Sequence, residues 1–274
     1  MLIWFLIVIG VLWLLFATIS DFKSHEIPNW VWISLIAFSL GARFFYGLFV
    51  VENFGFLYQG LIWLVIFFGI ANLFYYSRLF AMGDAKLMMA LGALLPFYEG
   101  FFNNLYGVTY FIILFLGIGA IYGLIISLYF VFGNFKGFKK EFKSRVKKDK
   151  NLIGVLFFAG LIVMILGFNS ISFLFLGILI ILMPLLYFYA KAIDEACMIK
   201  MVSASRLTIG DWLYQDVKVG KKTIKASWDG LSEEDIKLLK KANKKVLIRR
   251  GIWFGITFLI SFIVYVIMFF MGFA

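Results

Sequence analysis

The sequence predicts an all-α polytopic membrane protein, with about eight transmembrane helices and a small cytoplasmic α+β module before the last of them. Three observations lead there. The 274 residues are 64% hydrophobic, with a mean hydropathy of +0.99, where soluble domains are roughly 45–50% apolar. The apolar residues are gathered into long uncharged runs, and about 20 residues in a row are what a helix needs to cross the hydrocarbon. All but one of the 26 basic residues fall on alternate sides of those runs.

The runs lie near residues 2–20, 30–50, 56–77, 85–98, 105–133, 152–168, 171–190 and 251–273. The fourth is the shortest and carries Lys86 and Pro96, but the segregation of charge requires it to cross. Residues 2–19 have no basic stretch before them and no A-x-A pattern after them. They read as a retained first span and not as a signal peptide.

Short cytoplasmic loops collect Lys and Arg. With the N-terminus outside, the inner segments hold Lys23, then Arg78 and Lys86, then eight basic residues in 134–150 and fourteen in 191–250, which is 25 of the 26 in the chain. The outer connections at 51–55, 99–104 and 169–170 hold none. Arg43 is the exception, inside the second run, where a guanidinium must snorkel or pair within the bundle.

This divides the chain into a membrane-embedded part at 1–190, a cytoplasmic module at 191–250 and a last span at 251–274. In the module, residues 211–219 (DWLYQDVKV) alternate like a strand, Gly220-Lys221 turns the chain, and 221–226 (KKTIKA) pairs back as a hairpin. Ser232 and Asp235 form a capping box that opens a helix to about residue 242, followed by a short strand, KVLI. The formal net charge of +11 reports orientation and contact with anionic lipid, not nucleic acid. Cys197 is the only cysteine and His25 the only histidine. That excludes an intramolecular disulfide, a CxxC knuckle and a histidine-rich metal cluster, so no cofactor is expected.

Acidic residues at membrane level are costly unless paired or neutralised. Asp21 directly follows the first run and Asp84 opens the fourth. The first run goes from outside to inside and the fourth returns, so both aspartates fall at one cytoplasmic rim. Two carboxylates about 3 Å apart share a proton across the pair. The ionised one then activates a water as general base, while the protonated one polarises a peptide carbonyl and later protonates the leaving amine. Gly83 lets a backbone approach closely beside Asp84. Plainer readings stand beside this one. Asp84 also suits the N-cap of the fourth helix, and Asp21 suits a rim facing headgroups. A proton- or cation-coupled transporter uses paired membrane aspartates too, though near the midplane and on discontinuous helices. A noncatalytic scaffold with a basic tail is the third reading.

The surrounding residues favour hydrolysis. Asp21, Lys23 and Ile27-Pro28-Asn29 give D-x-K-x-x-x-I-P-N before the second span, and Gly83-Asp84-Ala85-Lys86 begins the fourth. Two aspartate motifs in this order, about sixty residues apart and on one membrane face, resemble the type IV prepilin peptidase family, in particular its archaeal preflagellin and prepilin peptidase branch. The resemblance covers the membrane part, and GDWLYQDVKVGKKTIK followed by GLSEEDIKLLKK is similar to a cytoplasmic extension of some archaeal members. It implies a GxGD aspartic endopeptidase without cofactor or metal, which removes leader peptides (class III signal sequences) from pilin-like or archaellin-like precursors at the cytoplasmic face of the plasma membrane, with Asp21 and Asp84 as the catalytic pair. Ala81 stands where the motif often has its first glycine. With one cysteine and a short loop at 21–29, the methyl transfer seen in bacterial relatives is not expected.

Pro28 and Asn29 suit the start of a helix and shape the rim. Lys23 and Lys86 either tune the aspartates or serve as positive-inside anchors. His25 reads as a bystander. The run Gly119–Gly123 permits close helix packing. Residues 136–150 read as a solvated loop near anionic lipid, which would repel a basic leader and so places substrate access near Asp21, Glu26 and Asp84.

Overall fold

The computed structural model describes residues 1–24, 26–168, 170–220, 222–227, 230–249 and 251–272. Among the described residues, ten α-helices and five short strands follow one another: α1 (Leu2–Ser24), α2 (Asn29–Tyr46), α3 (Gly55–Tyr76), α4 (Met82–Leu94), α5 (Phe101–Gly133), α6 (Phe135–Lys148), α7 (Lys150–Leu166), α8 (Ile171–Cys197), β1 (Ile199–Ser203), β2 (Trp212–Leu213), β3 (Val217–Val219), β4 (Lys222–Ile224), α9 (Glu233–Lys241), β5 (Lys245–Arg249) and α10 (Gly255–Phe270). The chain is therefore a polytopic helical membrane protein with a small sheet module near its C-terminus.

All eight apolar runs become helices, but they are not eight equal spans. Among the described residues, five helices are long and apolar enough to cross: α1, α2 with its π-helical continuation Gly47–Val51, α3, α5 and α8. The bent pair α6 and α7, kinked by 74°, makes a sixth if it counts as one span. The fourth run yields only 13 residues, about 20 Å of helix at 1.5 Å per residue, against a hydrocarbon thickness of about 30 Å. The last yields 16. Pro96 and the turn after Leu94 stop the one; the last run does not become helical until Gly255.

The chain forms two compact units, Met1–Gly123 with Ile252–Ala274, and Leu124–Gly251. In the first, α1, α2, α3, α4, the first part of α5 and α10 enclose a core that includes Leu6, Leu14, Phe67, Leu91, Phe111 and Phe262. The short α4 runs through its middle, where Ala85, Leu87, Met88, Ala90 and Leu91 are all buried. Its tight contact with α3 depends on Gly92, where a Cβ would stand 2.5 Å from the Trp63 carbonyl and 2.6 Å from Phe67 Cβ. Gly119 faces Phe254 and Thr257 of α10, whereas a Cβ on Gly123 would meet open space. Only the first glycine of that run therefore serves close packing.

A helix that ends inside the bundle leaves carbonyls without partners. Arg43 supplies them. Its fully buried side chain donates to the carbonyls of Ala93 (3.1 Å), Leu94 (3.2 Å), Pro96 (2.7 Å) and Phe56 (3.2 Å). The one basic residue that breaks the charge segregation thus pairs within the bundle and caps α4. Nearby, Asn104 bonds Gln59 and both backbone groups of Tyr98, which fixes the turn after α4.

In the second unit, residues 135–148 are a helix and not a loop. Asn134 caps it, its side chain accepting from Gly137 N–H at 3.3 Å, and Phe138 packs on Phe142 and Tyr189. The module has a three-stranded antiparallel sheet ordered β1-β5-β2 and a separate β3-β4 hairpin. The alternating stretch 211–219 is split between the two. Gly220 turns the hairpin with a φ of +58°; Lys221 lies outside the described residues. Ser232 caps α9 through the expected box with Asp235. Strand β1 was hidden at the end of a long apolar helix, because IKMVS has no turn signal before it. Leu213, Val217, Ile236, Leu239, Val246 and Ile248 form the core of this module.

Replacing Arg43 by Met leaves four buried carbonyls without their donor, and an orphaned buried group costs about 1–3 kcal/mol. Thermal unfolding in detergent is expected to show Arg43→Met destabilised by at least about 2 kcal/mol, with Arg43→Lys between it and the wild type. An unchanged midpoint would contradict the capping role.

Candidate active site

Asp21 sits in the last turns of α1 and Asp84 in the first turn of α4, both half-buried. Both motifs pack on the start of α10: Asp21 through the Gly255 N–H, and the segment that leads into Asp84 through Phe80 against Phe254 and Phe258. Two helices separated by about sixty residues of sequence therefore deliver their carboxylates to one place at one end of the first unit.

The two groups are held differently. Asp21 Oδ2 accepts the backbone N–H of Gly255 at 2.9 Å, at the start of α10. Asp84 is not the N-cap of its helix. That position is Ala81, in extended backbone with ψ of 164°, and Asp84 stands three residues on, with its Oδ2 accepting the Ala81 N–H at 3.3 Å. This is one half of a capping box; alanine has no oxygen to return the other. The alanine in place of a glycine is therefore compatible with the local backbone. The segment before it is pinned by Phe80, which is buried against Phe74, Phe115, Phe254 and Phe258.

The two sequence motifs meet through more than their aspartates. Ile27 is buried and lies against Gly83, where a Cβ would be 3.4 Å from Ile27 Cδ1, an ordinary contact distance. Asn29 Oδ1 accepts from Lys86 Nζ at 2.7 Å and from Trp32 Nε1 at 3.3 Å. Pro28 is the N-cap of α2, with φ of −58°, and its carbonyl accepts the N–H of Val31 at 3.0 Å. The Glu26 carbonyl accepts the hydroxyls of Ser20 at 3.0 Å and Ser24 at 3.2 Å, closing the turn between α1 and α2. Lys23 and Glu26 are exposed at this turn, and His25 lies outside the described residues. A cleft lined by Trp32, Asn72, Tyr75, Met82, Lys86 and Met89 lies between α2, α3 and α4, with neither aspartate in its lining. Among the described residues, no group of three His, Cys, Asp or Glu side chains gathers to hold a metal.

Sequence reasoning missed the neighbours that come from far along the chain. Gly255 and Phe254 open an apolar run that reads only as a span. Thr18 and Ser20 are lone polar residues at the end of the first run, the one available hint that this helix end is polar and paired.

Two carboxylates at one end of a helical membrane bundle are an arrangement that aspartic hydrolysis can use. Residues 8–135, the stretch that holds both aspartates, match the model of the type IV leader peptidase family. The chain is 33% identical over 92 residues to a preflagellin peptidase of Methanocaldococcus jannaschii, covering 34% of this chain and 38% of that protein. It is 32% identical over 93 residues to one of Methanococcus maripaludis, covering 34% and 39%. With one of Methanococcus voltae it shares 31% identity over 137 residues, covering 46% and 56%. The matches thus span less than two thirds of the length of these relatives. No solved structure matches the chain.

Because Ile27 packs at the junction of the two motifs, Ile27→Ala is expected to destabilise by about 2–3 kcal/mol. Asn29→Ala removes two exposed hydrogen bonds, from Lys86 and Trp32, and is expected to cost about 1 kcal/mol or less. Denaturant or thermal unfolding of the two variants side by side checks this order, and equal losses would contradict it.

Proposed function

We propose that this chain is an aspartic endopeptidase that removes leader peptides from pilin-like or archaellin-like precursors, with Asp21 and Asp84 as its catalytic pair. The observation that carries the reading is that both aspartate motifs, within the stretch that matches the leader peptidase family, pack on the same start of α10. The preflagellin peptidases among its relatives support the class of substrate. Nothing in the fold or the comparisons favours a transporter.

In this reading the pair shares one proton. The ionised carboxylate takes a proton from water, whose oxygen bonds to the scissile carbonyl carbon. The protonated carboxyl donates a hydrogen bond to the carbonyl oxygen. Collapse of the tetrahedral centre breaks the C–N bond, and the leaving nitrogen takes a proton from the pair. Gly83, Pro28 and Asn29 shape the rim, and Lys86, fixed by Asn29, borders the cleft in which a segment of substrate would lie. Glu26 offers a negative charge to a basic leader, and Lys23 anchors the rim.

The charge pattern supports a plasma-membrane placement with the N-terminus outside and the catalytic rim facing the cytoplasm, where precursors carry their leaders. It also supports the division into membrane part (1–190), cytoplasmic module (191–250) and last helix (251–274). Helix α6 has Lys136, Lys139, Lys140, Lys143, Lys147 and Lys148 beside Phe135, Phe138 and Phe142. That composition suits the anionic surface of a bilayer, not nucleic acid.

Detergent-solubilised wild type is expected to shorten a pilin-like precursor, while Asp21→Asn and Asp84→Asn each lose at least about 100-fold in kcat/KM. Retained cleavage in either variant would remove that residue from the reaction. A shared proton also predicts a bell-shaped pH–rate profile, since activity needs one carboxylate ionised and one protonated; a profile that rises to a plateau and stays there would contradict it.

A further inference from the structure

The last helix lies outside the stretch matched to the family, yet it touches both aspartate motifs. Gly255, the first residue of α10, donates its N–H to Asp21 Oδ2 at 2.9 Å, and its carbonyl accepts the Thr18 hydroxyl at 3.3 Å. One residue of α10 is thus clamped at two points by the end of α1. The first N–H groups of a helix have no partner within it, and a carboxylate placed there also meets the favourable end of the helix dipole. The fit is tight, so that a side chain at residue 255 would press on Asp21. A Cβ on residue 255 would stand 3.0 Å from Asp21 Oδ2 and 3.3 Å from Asp21 Cβ.

The same turn of α10 holds the other motif. Phe254 and Phe258 flank Gly255, and their ring centroids lie 5.9 and 6.0 Å from that of Phe80. Phe80 is buried and directly precedes Ala81, whose N–H bonds Asp84. Backbone on one side and aromatic rings on the other therefore tie a single helix end to both carboxylates.

We infer that α10 is an integral part of the catalytic centre: Gly255 is a positioning residue for Asp21, and Phe254 with Phe258 positions the Asp84 segment against it. This rests on the peptidase reading above. A carboxylate pair that shares a proton works only at close range, and a misplacement of about 1 Å costs on the order of 100-fold in rate. An apolar span that merely filled space would need neither a glycine nor a hydrogen bond at this point.

The contact and its consequence are tested separately in the full-length chain. In a Cys197→Ser background, Asp21→Cys with Gly255→Cys is expected to form an intramolecular disulfide on oxidation, because the 3.3 Å between the two Cβ positions is close to the roughly 3.5–4.5 Å of a disulfide. In otherwise wild-type protein, Gly255→Ala is expected to lower kcat for a pilin-like precursor about 10- to 100-fold, with KM within about twofold. Phe258→Leu is expected to lower kcat in the same way, and Gly69→Ala, whose Cβ would meet open space on α3, to change neither constant. Should Gly255→Ala fail to insert, Thr18→Val, which loosens the clamp without adding bulk at residue 255, carries the same kcat-specific expectation. Absence of the disulfide overturns the inference. So does a disulfide accompanied by unchanged kcat in Gly255→Ala and Phe258→Leu, or by a rise in KM alone. If the wild type itself leaves the precursor intact, the peptidase reading falls and the catalytic role falls with it, while the disulfide still decides the contact.

Discussion

Two carboxylates brought together at the end of a membrane bundle are costly to hold, since each needs partners that hydrocarbon does not supply. The first unit is organised around meeting that cost. Asp21 takes a backbone N–H from the start of α10 and Asp84 takes one from the residue that starts its own helix. Around them Ile27 seals the junction of the motifs and Asn29 fixes the nearby ammonium of Lys86. Phe80 packs the segment that leads into Asp84.

Helix α4 shows how the same economy extends across the unit. It is too short to cross by itself, so both of its ends must be satisfied inside or at the edge of the bundle. An acid stands in its first turn and a guanidinium on its last carbonyls. Both charges match the helix dipole, which favours anions at the N-terminus and cations at the C-terminus. Asp84 and Arg43 are thus the two ends of one device. The site depends on Arg43 at a distance, because whatever fixes the far end of α4 also fixes the direction in which Asp84 is presented.

Much of this was legible in the sequence. Apolar runs mark helices because no other element except a closed barrel satisfies its backbone in lipid, and all eight became helices. Where each helix stops was not legible, since hydropathy does not register Arg43 as a cap or Gly92 as a close contact. For the same reason the fourth and last runs looked like full spans. The basic stretch at 136–150 hid its helix behind charge, although Asn134 and the Phe135, Phe138 and Phe142 spacing are the local signs of one. The motifs at Asp21 and Asp84 were readable because their residues are contiguous. Gly255 was not, because its role comes from a contact made across more than two hundred residues of chain.

The central claim is that positions 21 and 84 share one face of the bilayer. Single cysteines placed there in a Cys197→Ser background, labelled with a membrane-impermeant maleimide in right-side-out and inverted vesicles, test it most directly. Both are expected to label from the cytoplasmic side only. Labelling of the two from opposite sides would contradict the account, whatever the chain proves able to cleave.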